Sequence, residues 1–116
     1  MSDVVIYHNP NCGTSRNTLA LLREKGVEPK VVEYVKVGWT AEQLTELFGR
    51  MGVSARDVLR VRGTPAESLG LTDPGASDAQ IVQAMTQEPI LVERPIVVTE
   101  KGAALCRPAE KVLDLL

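Results

Sequence analysis

Apolar residues fall into two periodicities along the chain. Val4-Val5-Ile6-Tyr7, Val31-Val32-Glu33-Tyr34-Val35 and Ile96-Val97-Val98-Thr99 are short, nearly continuous apolar runs, the pattern of strands covered on both faces. Between the first two, Leu19, Leu22 and partly Leu21 make a stripe at helical spacing from Thr14 or Ser15 onward. Lys25-Gly26 then supplies the cation and glycine expected at a helix end. Strand, helix and strand in this order predict a right-handed βαβ unit with parallel strands.

The middle of the chain reads as helical. Thr40 with Gln43 is a capping-box pair, and Leu44, Leu47, Phe48 and Met51 follow at i, i+3, i+4 and i+7 before Gly52. Ser54 predicts the cap of a shorter helix carrying Val58 and Leu59. Thr64-Pro65-Ala66-Glu67 predicts another start, with proline at the first helical position and Gly70 as its end. After a loop from Thr72 to Ala76, Ser77-Asp78-Ala79-Gln80 opens a helix with Ile81 and Met85 on one face, stopped by Pro89. Ile90 to Glu93 reads as extended chain or a helix remnant.

Beyond Ile96–Thr99, Glu100-Lys101-Gly102 is a turn signal and Ala103 to Cys106 a returning strand. Pro108 starts a last helix with Val112, Leu113, Leu115 and Leu116. The predicted order is βαβ, a helical insertion over about residues 40–88, then ββα. That is an α/β chain with a mixed four-stranded sheet, expected to form one domain over residues 1–116.

Composition narrows the function classes. The 116 residues are 44% hydrophobic, 24% charged and 3% aromatic, with a net charge of -2. An aliphatic core follows, and stacking of nucleic-acid bases on aromatic rings does not. No broad basic field faces nucleic acid or anionic membrane. No apolar run approaches the ~18 residues of a membrane span, and Met1-Ser2-Asp3 leads into the first strand without a leader pattern. The expected compartment is the cytosol, with no nucleic-acid or membrane partner.

The chemistry gathers at His8-Asn9-Pro10-Asn11-Cys12-Gly13-Thr14-Ser15-Arg16. A turn-rich segment joins the first strand to the first helix and sets Cys12 at or near a helix N-terminus. There the free N–H groups and the dipole favour a thiolate. His8 and Arg16 are placed to add positive charge. Ser15 and Thr14 are each candidates to cap the helix or to hydrogen-bond the sulfur, with capping favoured. Ser15 stands where a Cys-x-x-Cys pair would have its second cysteine, so disulfide chemistry calls for an outside thiol. Two separated cysteines and one histidine do not make a zinc site, and no bound cofactor is expected.

The residue order resembles the thioredoxin fold, with Pro95 at the position where that fold carries a proline, commonly cis, facing the active cysteine. The motifs narrow the likeness. His8 to Thr18 resembles the active-site segment of the glutaredoxin-coupled arsenate reductases, Arg94-Pro95-Ile96-Val97-Val98 their second signature and Arg107-Pro108 their third. The resemblance implies Cys12 as nucleophile and Arg60, Arg94 and Arg107 as the oxyanion's ligands, with Arg56 and Arg62 as neighbouring alternatives to Arg60. It implies supporting roles for His8, Ser15 and Pro95, arsenate as substrate, glutathione as co-substrate and glutaredoxin as partner.

Other readings stay open on the sequence. A thiol reductase or deglutathionylase of the same fold would need fewer arginines. An Spx-like regulator commonly carries Cys-x-x-Cys, which Ser15 replaces here. A phosphate- or sulfate-binding module would not need Cys12 as a nucleophile.

Overall fold

The computed structural model describes residues 3–116; the leading Met1-Ser2, read above as running into the first strand, lies outside the described residues. The chain gathers into two units, one running to Val37 and resuming over Arg94–Leu116, the other spanning Gly38–Glu93.

The first unit holds the sheet. Strands β1 (Val5–His8), β2 (Lys30–Glu33), β3 (Ile96–Thr99) and β4 (Gly102–Leu105) lie in the order β2-β1-β3-β4. β1 and β2 are parallel, with Val5 opposite Lys30 and His8 opposite Glu33. β3 runs antiparallel to β1, with Tyr7 opposite Ile96, and β4 antiparallel to β3. The mixed four-stranded sheet of the thioredoxin-like order is therefore present.

Helix α1 (Gly13–Glu24) crosses from β1 to β2. It ends in paired bonds, Gly26 N–H to the Arg23 carbonyl and Val27 N–H to the Leu22 carbonyl, both 3.0 Å, with Gly26 at φ 80°. That left-handed position favours glycine and closes the Schellman motif. The closure turns Val27 back onto the core of Ile6, Leu22, Val97, Cys106 and Val112, which Leu19, Leu21, Leu115 and Leu116 also join. This apolar layer packs α1 and the C-terminal helix against the sheet.

Two readings in this unit change. The second strand ends at Glu33, and Tyr34–Val37 forms a single helical turn, α2, instead of extending the strand. β-branched composition suggested extension, but Val35 and Val37 are exposed while Tyr34 is fully buried. Burial of the ring outweighs strand propensity. The last helix is a 3₁₀ helix over Ala109–Leu115. Its three-residue repeat superimposes Val112 and Leu115 on one side, where both meet the core, and leaves Leu113 exposed.

The second unit is helical. α3 (Ala41–Met51) begins with the Thr40–Gln43 capping box and ends at Gly52, φ 69°. α4 (Asp78–Gln87) begins with the Ser77–Gln80 box. Short 3₁₀ helices cover Ala55–Val58 and Pro89–Leu91. Leu44, Phe48, Val58, Ile81, Met85 and Leu91 are buried in this unit. The expected helix from Thr64 is absent. Leu69 N–H reaches the Pro65 carbonyl at 2.9 Å, but Gly63 and Gly70 both take positive φ. The two glycines bound a run of consecutive turns rather than a helix.

Candidate active site

The turn before α1 is built from its own polar groups. Asn9 Oδ1 accepts the Asn11 N–H at 2.9 Å, and the Asn9 carbonyl accepts the Cys12 N–H at 3.0 Å. Arg16 Nη1 donates to the Pro10 carbonyl at 2.8 Å, strapping the turn to the first helical coil. Cys12 is the N-cap residue, with extended backbone and no side-chain capping bond, and its carbonyl accepts the Arg16 N–H at 3.0 Å. The sulfur thus stands where the helix offers unpaired N–H groups.

Two arginines reach this position from the other end of the unit. Both precede prolines through cis peptides, Arg94-Pro95 and Arg107-Pro108, and the pairing of Ile96 with Leu105 brings the two segments side by side. Arg107 Nη1 donates to the Arg94 carbonyl at 2.9 Å and contacts Cys12 Sγ at 3.7 Å. Arg94 is buried to 7% exposure. Burial pushes the Cys12 thiol up, but the Ser15 backbone N–H and the guanidinium groups of Arg107 and Arg94 outweigh it, so its pKa lies below the ordinary thiol value. The net effect is a favoured thiolate.

Ser15 and His8 form a separate buried pair. Ser15 Oγ accepts the Asn9 N–H at 3.1 Å and lies 2.6 Å from His8 Nδ1. The Ser15 hydroxyl, with one proton and two lone pairs, serves both groups at once. Burial lowers the His8 pKa; Glu33 opposes this, and Arg16 and Arg23 reinforce it. The histidine is therefore neutral near pH 7, so it adds no positive charge beside the thiol. The Ser15 hydroxyl neither caps α1 nor faces the sulfur as its ligand; its backbone N–H serves Cys12 instead. Thr14 gives its carbonyl to Thr18 Oγ1 at 2.8 Å.

The structure therefore brings together Cys12, Arg94, Arg107 and the Ser15 N–H within the first unit, with the Pro95 carbonyl accepting the Cys106 N–H at 2.9 Å. Arg60 belongs to the second unit, where Nη1 pairs with Glu93 Oε1 at 2.9 Å and Nε donates to the Arg62 carbonyl at 3.1 Å. Arg56 is committed to the carbonyls of Asp73 and Ala76, a structural use. Arg23 pairs with Glu28 on the surface. Cys106 is fully buried, and burial pushes its thiol up to about 11. Glu93, the partner of Arg60, went unread in the sequence. Its signal was only its place beside Arg94, because its partner lies far away in the chain.

Comparison with known proteins bears on this site. The ArsC family model matches residues 7–115. The arsenate reductase ArsI2 of Synechocystis sp. is 55% identical over 113 residues, 97% of this chain and 81% of that protein. An Escherichia coli arsenate reductase is 49% identical over 116 residues, 100% of this chain and 82% of that protein. Among solved structures, an arsenate reductase from Vibrio cholerae superimposes with a TM-score of 0.93 at 41% identity, covering 98% of both chains.

Proposed function

The chain belongs to the ArsC family, and we propose that it is an arsenate reductase that draws its electrons from glutathione and glutaredoxin. The observation that carries the reading is the Cys12 sulfur at the start of α1 with the Arg107 guanidinium 3.7 Å away. A dianionic oxyanion approaching a thiolate is repelled, by about 1 kcal/mol per unit-charge pair at 4 Å in water and more in a drier site. Arg94 and Arg107 offset that repulsion with groups that stay charged at any working pH and fit an oxyanion's paired oxygens. Arg60 is assigned to the oxyanion by its correspondence with the family's third arginine.

In the proposed reaction, Cys12 thiolate attacks arsenic(V), the arsenic–oxygen bond breaks, and the leaving hydroxide takes a proton from solvent to depart as water, giving a covalent thiol–arsenic adduct. A glutathione thiolate then attacks the Cys12 sulfur. The sulfur–arsenic bond breaks, its electron pair reduces arsenic(V) to arsenic(III), and a Cys12–glutathione disulfide remains. A glutaredoxin thiolate attacks the glutathione sulfur, which frees the Cys12 thiolate and leaves glutaredoxin glutathionylated. Arsenite departs. The scheme needs no second cysteine in the chain and no bound cofactor. It suits the reducing cytosol; among the described residues no helix is long and apolar enough to cross a membrane.

The test is arsenate-dependent NADPH consumption with glutathione, glutathione reductase and glutaredoxin. Omitting glutaredoxin or replacing Cys12→Ser stops the reaction. Arsenate reduction by Cys12→Ser would end the nucleophile assignment, and full activity with thioredoxin in place of glutaredoxin would end the donor assignment.

A further inference from the structure

Two short segments of the second unit are tied by an isolated antiparallel bridge between Leu59 and Val92. Arg60 N–H donates to the Leu91 carbonyl at 2.7 Å and Glu93 N–H to the Val58 carbonyl at 2.9 Å. This register makes Arg60 and Glu93 diagonal neighbours on one face of the bridge, within reach of long side chains. The resulting ion pair differs from the other two described. Its side chains are only 17% and 22% exposed, whereas Arg23–Glu28 is 53% and 72% exposed and Lys36–Glu33 is 75% and 39% exposed. Water screens the latter two; it screens Arg60–Glu93 much less.

The guanidinium is held from two directions. Nη1 meets the Glu93 carboxylate and Nε meets the Arg62 carbonyl, while Nη2 has no hydrogen-bond partner among the described residues. Arginine carries five N–H groups in a rigid planar fork, so fixing two nitrogens fixes the plane of the third. A long side chain that would otherwise lose rotamer freedom on binding is already ordered.

We propose that Glu93 is a positioning residue for the oxyanion: through its 2.9 Å contact it presets the Arg60 guanidinium and leaves Nη2 without an intramolecular partner among the described residues. This rests on the assignment of Arg60 to arsenate. The carboxylate also repels an incoming anion, so geometry and charge predict opposite effects of its removal. If preorganisation dominates, loss of the contact weakens arsenate binding. If repulsion dominates, loss of the charge tightens it.

Five variants separate these outcomes in the coupled assay. Glu93→Ala raises KM for arsenate about tenfold, the scale of one hydrogen bond to a charged group, with kcat within about twofold. Glu93→Gln keeps an acceptor oxygen at the same reach and restores KM to near the parent value. Glu93→Asp keeps the charge but shortens the reach, and behaves like Glu93→Ala. Arg60→Ala/Glu93→Ala is no worse than Arg60→Ala alone. Urea midpoints of all variants show that the fold is retained. A KM lowered by both Glu93→Ala and Glu93→Gln, or unchanged in Glu93→Ala while Arg60→Ala raises it, overturns the proposal. An unchanged KM in Arg60→Ala overturns the assignment of Arg60 itself.

Discussion

Ser15→Ala removes one oxygen from a position with no solvent exposure, and its cost follows from what that oxygen serves. The hydroxyl accepts the Asn9 N–H and pairs with His8 Nδ1. His8 and Asn9 are each 6% exposed, so water does not readily replace the lost partner. Leaving a buried polar group unpaired costs about 1–3 kcal/mol, and two such groups cost roughly 2–6 kcal/mol together. Alanine's better helix propensity returns at most about 0.5 kcal/mol. Thr18→Val is the control. It deletes another buried hydroxyl in α1, but the acceptor there, the Thr14 carbonyl, lies in the helix and keeps its backbone N–H bond. That loss is about 1 kcal/mol, the net worth of an ordinary hydrogen bond. Urea unfolding under reducing conditions reads both. With slopes of about 1–3 kcal/mol/M, Ser15→Ala lowers the midpoint by on the order of 1 M or more and Thr18→Val by clearly less. Equal midpoints for Ser15→Ala and the parent, or a larger drop for Thr18→Val, would refute the assignment of the His8–Ser15–Asn9 contacts as a buried network.

Further outcomes follow from the titrating groups. Iodoacetamide modifies Cys12 with a rate that rises through a titration below that of an ordinary thiol, and Arg107→Ala moves that titration upward and slows alkylation severalfold on its acid side; an unmoved profile would remove Arg107 from the thiol's environment. Cys106, buried and raised to about 11, stays unlabelled in the folded protein at pH 8, so mass spectrometry finds a single adduct. The lowered His8 pKa means that the unfolded chain binds the proton more readily. Stability is therefore full above the unfolded value of ~6.5 and falls as pH drops through it toward the folded pKa; His8→Asn loses this dependence, as urea midpoints across pH would show.

Local signals in the sequence carried most of the fold. Thr40 with Gln43 and Ser77 with Gln80 announce their helices because a capping box is satisfied within four residues. Tyr34 could not be read, since its helical turn depends on where the ring is buried. Thr64 misled because a start signal says nothing of whether a helix follows. At the site, Arg94 and Arg107 were legible as arginines before prolines at strand boundaries. Their common contact depends on the β3–β4 register, which one residue of slippage would alter. The Ser15 hydroxyl's turn toward His8 was not legible, because it depends on how Asn9-Pro10-Asn11 folds back. Nor was Glu93, whose partner is chosen by the Leu59–Val92 bridge.

Helix α1 opens without a polar side chain at its cap; the position belongs to Cys12. The ionised sulfur is therefore part of the helix's own electrostatic closure as well as its reactive end. In the proposed cycle the Cys12–glutathione disulfide surrenders that anion, leaving amide groups and two guanidinium ions facing a neutral sulfur. The lowered thiol pKa therefore stabilises the reduced form relative to that mixed disulfide. Discharge to an incoming thiol thus runs with the protein's own stability rather than against it.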